Sequence, residues 1–272
     1  MGFLKDIIPP VAYQRFSAFY RKLNKNNYIY WEGNYGSWAE ASALCKGYDI
    51  SQILERVKKS SLKVKNGEAA YERDSVLFYR PDYSWELLAC ILRVASEFNG
   101  RLSVLDFGGS LGSTYFQNKK MLSGLGSMNW CIVEQKQFVE CGRSEFENEV
   151  LKFEYSLEEA LAKNKANVLV LASVLQYLAN PYEWLQKFCD SKIPYLIIER
   201  TPFIQGVNDR LTIQHVPPKI YSTTYPSWFF SEQKFMEIIL KYYTMEATYL
   251  QHDLSNIPCE FKGFFLKLKT TR

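Results

Sequence analysis

The stretch Leu102–Tyr115, LSVLDFGGSLGSTY, constrains this chain more than any other. Leu102, Val104 and Leu105 form a short apolar run, as a strand buried in a sheet requires. The run breaks at Gly108-Gly109, and a third glycine follows at Gly112. Ser113 fits the N-cap of a helix running toward Leu122. Strand, glycine turn and helix together make a site for a nucleotide-containing cofactor. Asp106 then narrows the choice. A turn that cradles a pyrophosphate repels a carboxylate aimed into it, so an acid two residues before the first glycine suits a cofactor that is cationic there.

S-adenosylmethionine is such a cofactor, with an ammonium and a sulfonium. The order Asp106-Phe107-Gly108-Gly109-Ser110-Leu111-Gly112 resembles the first motif of class I methyltransferases, an acid with glycines two, four and six places later. Ser110 replaces the middle glycine and Gly109 is added beside it. The expected contacts of the turn with the cofactor are Asp106, Gly108, Gly109, Ser110 and Gly112. Asn129–Glu134 reads as a second strand ending in an acid, and Glu134 is placed to accept bonds from both ribose hydroxyls. Its separation from Asp106 exceeds the roughly 20 residues of the dinucleotide fingerprint, and a loop over 123–128 accounts for the excess.

Leu151–Tyr155 reads as a third strand, with Ser156 capping a helix over Leu157–Lys163 and lying where an adenine would sit. Asn167–Ala172, NVLVLA, is apolar throughout, as a strand covered on both faces should be. Ser173–Tyr177 then falls at the carboxyl edge of the sheet, where open α/β folds bind ligands; Ser173 is assigned to the cofactor, Gln176 and Tyr177 to the acceptor. Asn180, Pro181 and Glu183 open the next helix, and Ile193–Glu199 is a fifth strand.

Over residues 80–272 this order is similar to a class I methyltransferase. More narrowly, YWEGNYGSWAEA, LDFGGSLGSTY, SVLQYLANP and IIERTPF with DRLTIQHVPPKIYSTTYP resemble a family of bacterial methyltransferases associated with surface-polysaccharide gene clusters. The resemblance implies an α/β, Rossmann-like fold: a mostly parallel seven-stranded sheet with helices on both faces, carrying an N-terminal helical addition over 1–79. It implies transfer of a methyl group from S-adenosylmethionine, expected at an oxygen of a saccharide. The alternative is a catalytically silent relative that binds a partner in glycan assembly.

Residues 1–30 mix basic and aromatic types, with Phe16, Phe19 and Tyr20 at helical spacing. They read as a helix docked on the domain, or as a peripheral contact with a membrane or partner. Ser37 and Glu40 form a capping box for a helix from Trp38, and the aromatic turn before it reads either as a packed loop or as a cap over the acceptor pocket. A second helix opens near Asp49. A mixed helical stretch is expected from Asn66-Gly67 to Tyr79, and a clear helix from Ser84 to Phe98.

Arg200–Trp228 shows no periodic element and reads as an ordered loop walling the acceptor pocket. It holds the candidate base, His215, whose unperturbed pKa suits the role, with Asp209 in reserve. Arg200 and Arg210 could grip an anionic acceptor, and Tyr225 could stack on a sugar. Glu199 is expected to hold Arg200 or a backbone group. Ser231 opens a further helix, and Thr244–Leu250 with Phe261–Lys267 form a closing antiparallel pair.

The chain of 272 residues has a net charge of only +4 and no long basic block, which argues against a nucleic-acid partner. No apolar run is long enough for a transmembrane helix, and the scattered cysteines without a CxxC pair fit a reducing compartment. The expected location is the cytoplasm, with at most a peripheral contact at the inner membrane face. No spacing suggests a metal site.

Overall fold

The computed structural model describes residues 28–45, 50–218, 220 and 222–270. The basic, aromatic segment around Phe16, Phe19 and Tyr20 lies outside the described residues.

Five parallel strands carry the nucleotide half: β4 (Arg101–Phe107), β5 (Ser127–Val133), β6 (Leu151–Glu154), β7 (Val168–Ala172) and β8 (Tyr195–Ile204). Two more close the far edge, β11 (Tyr243–Gln251) and β12 (Glu260–Leu268), with β12 antiparallel to both β8 and β11. Read across, the seven run β6-β5-β4-β7-β8-β12-β11. The order reverses direction between β4 and β7, which opens a crevice beyond their carboxyl ends. Helices α3 (Trp85–Glu97), α4 (Ser113–Leu122), α5 (Lys136–Glu145), α6 (Leu157–Lys163), α7 (Pro181–Asp190) and α8 (Glu232–Tyr242) connect these strands. The expected α/β, Rossmann-like architecture is present.

Alternation along each strand sorts its side chains between two cores. Leu102 and Val104 join Ile91, Trp130 and Phe153 on one face. Leu105 and Phe107 join Leu185, Phe188 and Phe235 on the other. Asp106 follows Leu102 and Val104 in this period of two, so its side chain enters the first core.

The segment expected as a long loop is a sheet extension. β9 (Arg210–Val216) and β10 (Thr223–Ser231) form an antiparallel pair, and β1 (Tyr30–Glu32) pairs with β9. β10 joins the main sheet through Phe230 and Ser231, parallel to Phe203 and Ile204, where β8 has run past the end of β7. The stretch showed no periodic element and its prolines argued for an ordered loop, yet β10 at Pro226 is bordered by β9 alone, where a strand proline is tolerable. The polar alternation Thr212, Gln214 with Leu211, Ile213 is that of a strand with two different faces.

Before residue 80, α1 (Trp38–Ala43) and α2 (Ile50–Lys65) form as expected. Ser37 Oγ accepts from Glu40 N–H at 3.2 Å, and Glu40 Oε2 accepts from Gly36 N–H at 2.8 Å, closing the capping box one residue early. The stretch expected as helix after Gly67 is instead a hairpin, β2 (Tyr71–Arg73) and β3 (Val76–Phe78), turned by Asp74 and Ser75 at φ 52° and 66°. Short polar side chains tolerate that conformation. Among the described residues, no helix is long and apolar enough to cross a membrane.

Candidate functional site at the carboxyl edge

β4 ends in a turn whose backbone is left-handed at Gly108, Ser110 and Gly112, with φ of 76°, 54° and 97°. Three of the chain's non-glycine left-handed residues, Ser110, Ser173 and Arg200, lie at the ends or bends of β4, β7 and β8. Such strain gathers where a site over-determines the backbone. Gly112, not Ser113, is the N-cap of α4. Ser113 Oγ donates instead to Glu72 of the β2–β3 hairpin.

Asp106 does not face the mouth of the turn. It is 0% exposed, its Oδ2 accepts from Trp130 Nε1 at 3.0 Å, and its Oδ1 has no partner. Burial pushes its pKa up to about 7. A Cβ on Gly109 would lie 2.6 Å from this carboxyl group, so the added glycine makes room for Asp106 directly beneath the turn. Over Gly108 the space is taken by Val174, whose Cγ2 would meet a Cβ there at 2.5 Å.

Glu134 closes the turn from the neighbouring strand. Its Oε1 accepts from Ser110 N–H at 3.2 Å and its Oε2 from Gln135 N–H at 2.8 Å. Burial holds its pKa above the usual carboxylate range. Ser156 caps α6 by accepting from Glu159 N–H at 3.1 Å, while the neighbouring Tyr155 ring, 41% exposed, lies against the Arg143 guanidinium at 4.6 Å.

Beyond β7, Ser173 N–H donates to Glu199 O at 2.9 Å. Gln176 Nε2 donates to Ser173 Oγ at 2.9 Å and to Arg200 O at 3.3 Å, and its buried Oε1 has no partner. Tyr177 OH donates to Gln214 Oε1 at 3.0 Å, and its ring meets Tyr225 edge-on at 5.3 Å. Burial raises the Tyr177 phenol to about 12. Gln214 also accepts from Trp31 Nε1 at 2.9 Å and donates to Tyr225 OH at 3.0 Å. This glutamine hub was missed in the sequence because its strand was read as loop.

His215 is on the wrong face for the expected role. Side chains alternate along β9, so Gln214 turns toward Tyr177 while His215 turns the other way. There it stacks on Tyr30 at 4.4 Å, and its Nε2 lies 2.9 Å from Glu32 Oε1. Asp209 is occupied: Tyr182 OH and Ser231 N–H donate to Oδ1 at 2.7 and 2.8 Å, and Lys234 Nζ lies 2.6 Å from Oδ2. It ties β9 to α7 and α8.

Arg200 does not pair with Glu199. It grips Asp253 with Nε and Nη2, the shortest contact being 2.8 Å. Burial works to raise the Asp253 pKa, but the Arg200 guanidinium prevails and holds it below the ordinary range. Glu199 accepts from Tyr249 OH and Gln251 Nε2 instead. Arg210 donates through Nε to Gly33 O at 2.9 Å. It lines a cavity of about 250 Å³ together with Tyr30, Glu32 and Asn256. A second cavity of about 200 Å³ lies beside Tyr71 and Phe116. Neither is lined by the glycine turn.

The hairpin also went unread in the sequence. Glu72 is buried, accepts from Ser113 Oγ and from Ser75 N–H at 3.0 Å, and burial raises its pKa. At the tip, Asp74 acts electrostatically on Tyr177 and Arg200, and Arg73 on Asp253. The hairpin therefore touches the start of α4 through Glu72 and Ser113, and its tip charges act on Tyr177, Arg200 and Asp253; the loop at 30–37 was the cover that sequence reasoning had offered.

The strand order, with β12 antiparallel to its neighbours, is that of a Rossmann-like α/β fold. No protein-family model matches the chain, and no curated protein matches it. Solved structures are similar to it at low identity. An S-adenosylmethionine-dependent methyltransferase from Clostridium acetobutylicum aligns at 8% identity and a TM-score of 0.47, over 70% of this chain and 93% of that one. The N-terminal domain of EvdMO1, crystallised with SAH and D-fucose, aligns at 11% and 0.47, over 82% and 98%. CalS10, an amino pentose methyltransferase from Micromonospora echinaspora, aligns at 9% and 0.45, over 69% and 92%.

Proposed function

We propose that the chain is an S-adenosylmethionine-dependent methyltransferase acting on an oxygen of a saccharide. The observation that carries the donor is the pairing at the switch point: Glu134 at the end of β5 reaches across to Ser110 N–H of the glycine turn at the end of β4. A carboxylate has about four lone-pair positions. Two are used here, which leaves capacity for two ribose hydroxyls. Asp106, fully buried beneath the turn with Oδ1 unpartnered, shapes the turn through Gly109 rather than meeting the donor. Tyr155 and Ser156 follow β6 where an adenine would rest.

When bound, the donor supplies a methyl group already activated by a sulfonium. The chain's own task is alignment of the acceptor. Gln176 has a buried carbonyl oxygen without a partner at this edge, suited to accept from an acceptor hydroxyl. Tyr177 stays a neutral phenol at ordinary pH and stiffens the wall through Gln214. Arg200 and Arg210 remain the candidates for an anionic acceptor, Arg210 with the better claim because Arg200 is neutralised by Asp253. The base role first given to His215 or Asp209 is not favoured, because one faces away from Tyr177 and the other is saturated. The saccharide acceptor, the role in surface-polysaccharide assembly and the division at residue 80 draw their support from the sequence resemblance.

The silent, partner-binding reading has one observation in its favour: Val174 fills the space over Gly108. Calorimetry with S-adenosylhomocysteine separates the two. The methyltransferase reading expects micromolar binding, weakened at least tenfold in Glu134→Ala. No binding at millimolar ligand would favour the silent one.

A further inference from the structure

We infer that Glu72, carried on the β2–β3 hairpin, recognises the ammonium of the methyl donor's amino-acid end; this rests on the donor reading above. Glu72 lies 41 positions before Ser113 yet accepts its hydroxyl, so the hairpin brings a carboxylate to the first turn of α4, beside Gly112. Two other acids approach the same turn. Asp106 lies beneath Gly109, and Glu134 meets Ser110. Among the described residues, no lysine or arginine forms an ion pair with any of the three, and Arg73 acts on Glu72 only as the weakest of its influences.

Three carboxylates thus approach one glycine turn, Glu72 and Asp106 buried and Glu134 half-buried, and none of them is ion-paired among the described residues. Asp106 Oδ1 is buried without any partner, but it lies in the core beneath Gly109, so Glu72 and Glu134 are the acids left to meet a donor. Glu134 and Glu72 are placed for different parts of a donor. Glu134 ends the neighbouring strand, on the ribose side. Glu72 sits at the start of the helix, against Ser113. A hydroxyl and a backbone N–H hold it in place, neither of which neutralises its charge.

Titration calorimetry with two ligands tests this. S-adenosylhomocysteine carries the amino-acid end, and 5′-methylthioadenosine lacks it. Glu72→Gln is expected to weaken S-adenosylhomocysteine at least tenfold and to leave methylthioadenosine within twofold. Glu134→Gln, by contrast, weakens both. Equal loss of both ligands in Glu72→Gln means that the residue only shapes the turn, and no loss of either means that it is a hairpin anchor; each overturns the inference. If Glu72→Gln does not fold, Ser113→Ala decides. Releasing the carboxylate from the hydroxyl should tighten S-adenosylhomocysteine at least twofold with methylthioadenosine unchanged, and no change overturns the inference. Wild-type protein that binds neither ligand sinks the donor reading itself.

Discussion

Adding one methyl group at Gly109 is the sharpest test of how the glycine turn is built. The backbone there is not left-handed, so alanine is permitted by φ; the cost is steric alone. The new Cβ would sit 2.6 Å from Asp106 Cγ and Oδ2 and 2.9 Å from Oδ1. A real contact of that length does not persist, and the carboxyl group is fully buried with nowhere to go. Overpacking of this kind costs about 1–3 kcal/mol. Displacing the carboxyl also breaks its bond from Trp130, worth about 1–2 kcal/mol more. The sum, about 2–5 kcal/mol, corresponds to a fall in Tm of roughly 5–15 °C for a chain of this size. Circular dichroism melts of Gly109→Ala measure it, with Gly124→Ala as the control. A Cβ at Gly124 meets nothing within 4 Å, so that change should stay within about 0.5 kcal/mol. In an Asp106→Ala background the Gly109→Ala penalty should shrink by at least about 1 kcal/mol, as coupled neighbours do. A Gly109→Ala protein that melts with the wild type, or a penalty unchanged without the carboxylate, refutes the placement of Asp106 under the turn.

Two further outcomes are expected. Asp106 holds its proton up to about pH 7 in the folded chain against about 3.9 when unfolded. Its contribution to stability is therefore complete below about pH 4, lost as pH rises toward 7 and flat above, a total of about 4 kcal/mol. Asp106→Asn should remove that component, and urea titrations between pH 4.5 and 8 that find a constant wild-type–variant difference would contradict it. If the chain carries out the proposed methyl transfer to a saccharide, His215→Ala should leave that transfer within about twofold, measured with labelled S-adenosylmethionine, because the imidazole faces Tyr30 and Glu32. A tenfold loss with an unchanged melting temperature would restore His215 as the base.

The parallel half of the sheet was readable because it is local. Leu102–Phe107, Asn129–Val133 and Val168–Ala172 are apolar runs between turn residues, and burial on both faces leaves such runs few alternatives. The helices at Trp38 and Glu232 were readable from Ser37 and Ser231, whose side chains cap them. The glycine turn was read from its spacing, and the acid of the next strand from its place at that strand's end. β9 and β10 were not, because their alternating polar residues gain strand character only from pairing with each other and with β1. The hairpin at 71–78 escaped for the same reason: three-residue strands carry too little periodicity to stand out.

What the chain determined on its own is where a cofactor turn begins and which residue types surround it. Where those side chains point was decided by packing. A period of two sends Asp106 into the core rather than to the mouth, turns Gln214 toward Tyr177 and His215 away, and gives Asp209 to Tyr182, Ser231 and Lys234. Arg200 meets Asp253, and Glu72 meets Ser113, across separations that no local pattern encodes. Sequence spacing fixes a residue's position along its strand, but only the neighbouring strands and the folded-over hairpin decide which charge it meets.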